Sequence, residues 1–179
     1  MCSSDLQVAL ALRDEGIAAI YASDLSRALQ TAKAIGEVSG CSPVPTPALR
    51  ERHFGIFQTR TWAEIEQLWP DEAQRWRTRD PHWAPDGGES LITLRERVSL
   101  TVNELASRHV GEQIVLVAHG GIMDVLYRLA TGQDIQAPRT WSLGNAVINR
   151  LLWTPQGLTL VGWGDDRHLK DASLDEMSA

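Results

Sequence analysis

Apolar and β-branched runs alternate with helix-periodic stretches along the chain, the pattern of an α/β domain. Ile17–Ala22 and residues 114–118 (Ile-Val-Leu-Val-Ala) are apolar throughout, which predicts strands covered on both faces. Helical spacing predicts helices over 5–15, over 25–38 with a stop near Gly40, over 61–78, from Ser90 to about His109, and over 120–131 with a stop at Gly132. The proline-marked stretch 43–49 predicts a short strand near a sheet edge. Residues 146–153 and 158–163 predict a hairpin around Pro155-Gln156-Gly157, and the tail from residue 166 is polar and expected to fray. Trp62, Trp69 and Trp76 recur every seventh position, close to two helical turns, and so can share one helix face. That face either glues the helix to the body or walls a pocket; Pro81 and Pro85 put Trp83 outside the helix.

Composition narrows the class. The 179 residues suffice for one domain, and 43% hydrophobic with 22% charged residues excludes a disordered or collagen-like chain. Apolar runs fall far short of the roughly 18 residues of a membrane span, and residues 1–6 have no secretory character. Cys2 and Cys41 are too few for a disulfide framework or a zinc cluster. A net charge of −6 argues against bulk nucleic-acid binding, so an anionic ligand needs a local cluster of cations. The expectation is a cytoplasmic domain without cofactor or metal, with neither nucleic acid nor membrane as partner.

Three stretches could carry chemistry. Residues 114–121 end in Ala118-His119-Gly120-Gly121 and lead into a helix, placing His119 at the carboxyl end of a strand, where open α/β sheets bind ligands. Gly120 and Gly121 permit close backbone approach, and the helix N-terminus offers amides to an anion. Ser23-Asp24-Leu25-Ser26-Arg27 is a second such junction, with Ser23 and Asp24 as helix caps. Arg27 stands in the first turn, where the helix dipole disfavours a cation. A bound anion explains it; so does a surface arginine or a pair with Asp24. In Leu49-Arg50-Glu51-Arg52-His53-Phe54-Gly55, a carboxyl group flanked by cations could be a general acid or part of a solvated charge run.

Together these stretches resemble the histidine phosphatase superfamily, also called the phosphoglycerate mutase-like family. The shared pieces, in order, are S-D-L-x-R-A-x-Q-T-A, L-R-E-R-x-F-G, G-G-E-S and A-H-G-G. Trp62-Ala-Glu-Ile-Glu and Thr140-Trp-Ser-Leu-Gly-Asn-Ala look similar too. The resemblance implies a mostly parallel central sheet flanked by helices over residues 7–165, with a helical cap at about 56–88. It implies that Arg27 binds phosphate, that Glu51 protonates the leaving group, and that His119, protonated, stabilises the transferring phosphoryl group. Ser23, Arg52 and Gly120 join Arg27 and His119 as substrate-binding positions. The implied substrate is a small phosphorylated metabolite, cleaved without metal.

One departure is large. The family's first strand ends in L-x-R-H-G, whose histidine takes the phosphoryl group covalently. No Arg-His-Gly occurs here; the Arg-His pairs are Arg52-His53, Arg108-His109 and Arg167-His168. The resemblance thus implies an N-terminally truncated chain lacking the nucleophile and the first central strand, with an open slot beside residues 114–118. Residues 1–6 are expected to be a non-native leader, since Met-Cys-Ser-Ser-Asp-Leu can be encoded by GTG TGC TCT TCC GAT CT, which looks like a sequencing-adapter end. The compact interval 76–86 favours a phosphatase, inactive in this form, over a mutase. Arg75, Arg77, Arg79 and His82 keep open a second anionic group and hence a mutase. A non-catalytic phosphate-binding domain is the alternative from another class.

Overall fold

The computed structural model describes residues 3–170. Three parallel strands, β1 (Ile17–Ala22), β2 (Pro43–Pro45) and β3 (Gln113–Val117), form one sheet in the order β2-β1-β3. Ile20 pairs with Pro43 on one side and Val115 on the other. Proline cannot donate to a ladder, and β2 lies at the sheet's edge as its prolines require. The predicted strand 43–49 is shorter than expected: Pro47–Leu49 turns into a 3-10 helix, because Pro47 fixes a helical φ.

Period-2 alternation assigns the faces. Ile20, Ala22, Val115 and Val117 pack under α1 (Ser3–Ala11) and α2 (Ser26–Ser39) with Val8, Leu12 and Ile35. Tyr21 and Leu116 pack on the opposite face with Leu49 and Leu105, and Leu116 also meets the core of α5 (Leu91–Ser107) and α6 (Gly120–Thr131). The result is an α/β fold with a parallel sheet flanked by helices. The first helix ends at Ala11 rather than 15 and includes residues 3–6. Residues 1 and 2 lie outside the described residues, as does the tail from 171; within its described part, Lys170 pairs with Asp166.

The hairpin of β4 (Ile148–Thr154) and β5 (Gly157–Asp165) is antiparallel and forms a separate sheet. Among the described residues β3 therefore has a ladder partner on one edge only. Although wholly apolar from Ile114, it is half-buried along its length, whereas Ile20, Tyr21 and Ala22 of β1 are buried.

The predicted helix 61–78 is two helices, α3 (Trp62–Leu68) and α4 (Pro70–Arg77). Pro70 lacks an N–H and drives Trp69 out of helical geometry, to φ −139° and ψ 67°. A single tryptophan face is thus lost. Trp69, Trp76 and Trp83 instead gather around Phe57, with ring centroids 6.0, 5.9 and 5.9 Å away. Trp62 is 39% exposed and stacks with Arg77. No helix among the described residues is long and apolar enough to cross a membrane.

Candidate functional site

β1 and β3 end side by side, and each leads into a helix. Ser23 donates its amide to Val117 O at 2.9 Å, extending the ladder by one residue, so Ser23 and His119 emerge together. The hydroxyl of Ser23 lies 2.8 Å from His119 Nε2 and also accepts the Leu25 amide at 3.3 Å. Arg27, in the first turn of α2, donates from Nε to His119 Nδ1 at 3.2 Å. An accepting Nδ1 fixes the neutral tautomer, with the proton on Nε2 directed at Ser23. Burial, and then the adjacent Arg27 charge, push the His119 pKa below its ordinary 6.5, against an opposing pull from Glu51. In this arrangement the imidazole is held toward its neutral form.

The expected caps of α2 are also corrected. Leu25 holds the cap position without a side-chain hydrogen bond. Asp24 is drawn away by Arg50, which grips both of its oxygens at 2.6 and 2.5 Å. Arg27 is thus not Asp24's partner and points at the histidine instead.

Glu51 reaches the same place from the loop after the 3-10 helix at Pro47–Leu49. Its carboxylate accepts the Arg52 amide at 2.8 Å and the Gly121 amide, at the start of α6, at 3.1 Å. A Cβ on Gly121 would stand 2.3 Å from Glu51 Oε1, so only glycine admits the carboxyl group here. Arg97 supports the loop from behind: it pairs with Glu89 at 2.7 Å and donates to the carbonyls of Ala48 and Arg50 at 2.7 and 3.0 Å.

Of the residues expected at a site, Ser23, Arg27, Glu51, His119 and Gly120 come together at the carboxyl end of the parallel sheet. Arg52 stands apart. It is 8% exposed, donates to Glu89 O at 2.8 Å, lies 4.5 Å over the Trp76 ring, and faces a small cavity of about 60 Å³ that Trp83 also lines. Burial pushes its pKa down to about 10, which leaves it cationic at neutral pH. Trp69 and Trp76 pack the cap around Phe57, as the packing reading expects, and Trp76 and Trp83 also line this cavity. Gly121 and Arg97 are additions. The glycine pair flagged Gly121; nothing in local sequence flags Arg97. The arrangement can hold an anion, since a guanidinium and two helix N-termini converge beside a carboxyl group. His53, His109 and His168 are engaged elsewhere, with the Gly55 amide, with Tyr21 and Glu112, and with Ala146 O.

A model of the histidine phosphatase superfamily (branch 1) matches residues 6–166. The chain belongs to this superfamily. It is 33% identical to a probable phosphoglycerate mutase GpmB of Yersinia enterocolitica, over 95% of this chain and 81% of that protein. It is also 33% identical to a metal-independent phosphoserine phosphatase of Arabidopsis thaliana, over 90% of this chain and 67% of that protein. Among solved structures, a mycobacterial glucosyl-3-phosphoglycerate phosphatase complexed with VO3 superposes with a TM-score of 0.77 at 30% identity, covering 91% of this chain and 84% of that one. Bacillus stearothermophilus YhfR gives 0.82 at 23% identity, covering 93% and 83%, and supports the fold alone. Mutases and phosphatases thus both occur among the superfamily members it is similar to.

Proposed function

We propose that the site binds the phosphate of a small phosphate monoester and belongs to a phosphatase. The observation that carries this reading is the contact between Arg27 and His119 beside Glu51, at the mouths of two helices. A transferring phosphoryl group spreads negative charge over its oxygens, and these donors match it without metal. In the family's reaction the P–O bond to the alcohol breaks as a histidine nitrogen bonds to phosphorus. Glu51 gives its proton to the departing oxygen; in the second step it takes a proton from the water that releases phosphate. Ser23 orients His119, and Gly120 lets substrate approach the backbone.

The chain contains no Arg-His-Gly, so by this reading its 179 residues bind phosphate without turning over. The test is calorimetric titration with inorganic phosphate or vanadate. Binding that weakens at least tenfold in Arg27→Ala supports the reading, and indifference to that change refutes it.

A mutase is the second reading, favoured by the small cavity under the cap. Arg52, Arg75 and Arg79 line it together with the carboxylate of Asp80, and although Arg79 pairs with Asp124 at 3.0 Å a cationic excess is left for a second anionic group. On an enzyme that also carries the nucleophile, phosphate release compared with phosphoglycerate isomerisation separates the two.

A further inference from the structure

Glu51 stands on a stretch, residues 50–53, that belongs to neither helix nor strand. A carboxyl group on such a stretch keeps a fixed place only if the backbone on both sides of it is held from outside. Two residues distant in sequence do the holding. Nε and Nη2 of Arg97, on α5, donate to the two carboxylate oxygens of Glu89 at 2.8 and 2.7 Å, a fork that fixes both planes. The remaining Nη1 donates to the carbonyls of Ala48 and Arg50 at 2.7 and 3.0 Å, before Glu51 in the chain. The backbone of Glu89 takes the other side: its amide donates to His53 O at 2.8 Å, and its carbonyl accepts from Arg52 Nε at 2.8 Å. Residues 48, 50, 52 and 53 are thus tied to one ion pair, and Glu51 among them reaches forward to the Gly121 amide. The same ribbon continues into the neck of the cap, where Phe54 bridges Gly88 and the Ile56 amide donates to Asp86 O at 3.0 Å.

We propose that Glu89 and Arg97 are positioning residues for Glu51, and that their pair sets where its carboxyl group stands relative to Gly121 and His119. A pair that served only to stabilise α5 would need no bond to the carbonyls flanking Glu51. The side chains of Glu89 and Arg97 are 12% and 25% exposed, so water competes weakly for these bonds. The task calls for arginine: one guanidinium reaches a carboxylate and two carbonyls in fixed directions, whereas a lysine ammonium is a point charge on a flexible stem. Glu89 is equally specified, since an amide there would offer one acceptor to a fork that needs two. The side-chain hydrogen bonds of Arg97 end on Glu89, Ala48 and Arg50, so it acts on the site through the loop. The inference rests on the acid role proposed for Glu51 for what the placement serves; the placement itself is measurable without turnover.

The test uses the 179-residue chain and NMR titration of His119. Burial and then the Arg27 charge depress the His119 pKa, and the Glu51 charge pulls it back up, so the midpoint reports how near the carboxylate stands. Glu51→Gln should lower that midpoint in the unaltered chain. In an Arg97→Lys background the same change should have less than about half the effect, and the Gly121 amide should exchange about tenfold faster. Glu89→Gln, which keeps the size of the side chain, is the second variant and should read the same way. A merely structural pair would lower Tm and leave the Glu51 effect intact, and an undiminished effect in both variants overturns the proposal. So does a Glu51→Gln change that leaves His119 unmoved in the unaltered chain. Calorimetric titration of that chain with inorganic phosphate reads the proposed function separately. Lost coupling without phosphate binding keeps the placement and refutes the function; phosphate binding with intact coupling does the reverse.

Discussion

The backbone amide of Gly121 and the carboxylate of Glu51 meet at 3.1 Å across 70 residues of sequence, and the meeting depends on the side chain that Gly121 lacks. A methyl group there displaces a flexible carboxyl end rather than backbone, so Gly121→Ala is expected to fold with little change in Tm. In an enzyme with its nucleophile in place, it should slow alkyl phosphates roughly tenfold or more while sparing p-nitrophenyl phosphate, whose leaving group departs without a proton. Equal losses on the two substrates would remove Glu51 from the acid role.

The 179-residue chain alone is expected to hydrolyse p-nitrophenyl phosphate barely above background, since loss of a covalent nucleophile costs several orders of magnitude. A ten-residue peptide ending in Leu-Val-Arg-His-Gly should bring activity back and become phosphorylated on its own histidine. Mass spectrometry of the quenched mixture checks this. Phosphate found on a histidine of the chain itself would contradict the assignment.

His119 makes stability depend on pH in a definite direction. Its folded pKa lies below the ordinary 6.5, so the unfolded chain binds the extra proton first. The contribution is complete above about pH 6.5 and is lost as pH falls through the folded value. Urea titrations from pH 7.5 to 5 should show falling stability, and His119→Gln should flatten that slope. Arg27→Ala removes the second cause of the depression, so the NMR titration midpoint of His119 should rise.

The aromatic cap offers a test of packing. Phe57 is 6% exposed and touches three tryptophans, and Phe57→Ala is expected to cost about 3–5 kcal/mol. The loss should appear as a lower urea midpoint together with faster exchange in residues 62–77, while the Arg27–His119 contact persists. An unchanged midpoint would show that the cap is not part of the cooperative unit.

Much of this molecule is written locally in its sequence. β1 and α6 begin and end where apolar runs and glycine stops put them, because periodicity and the left-handed conformation of Gly132 act over neighbouring residues. The strand-to-helix junctions mark Ser23, Arg27, His119 and Gly120 in the sequence itself. Pro70 divides the stretch 61–78 for an equally local reason, a missing N–H and a ring clash with the preceding turn.

What only the tertiary structure decided are relations across the chain. Asp24 exchanged its expected capping role for a pair with Arg50 because the β2 loop brings a guanidinium within 2.6 Å. Arg52 left the phosphate end of the site because the Trp76 face and the Glu89 carbonyl compete for it. The neutral bias of His119 arises from burial and from Arg27, 92 residues away in sequence. Electrostatic environment depends on distance through space, which composition and spacing do not encode. The half-buried state of β3 follows the same logic: its apolar residues declare that both faces are covered, but whether its second edge is paired depends on where the β4–β5 hairpin comes to rest.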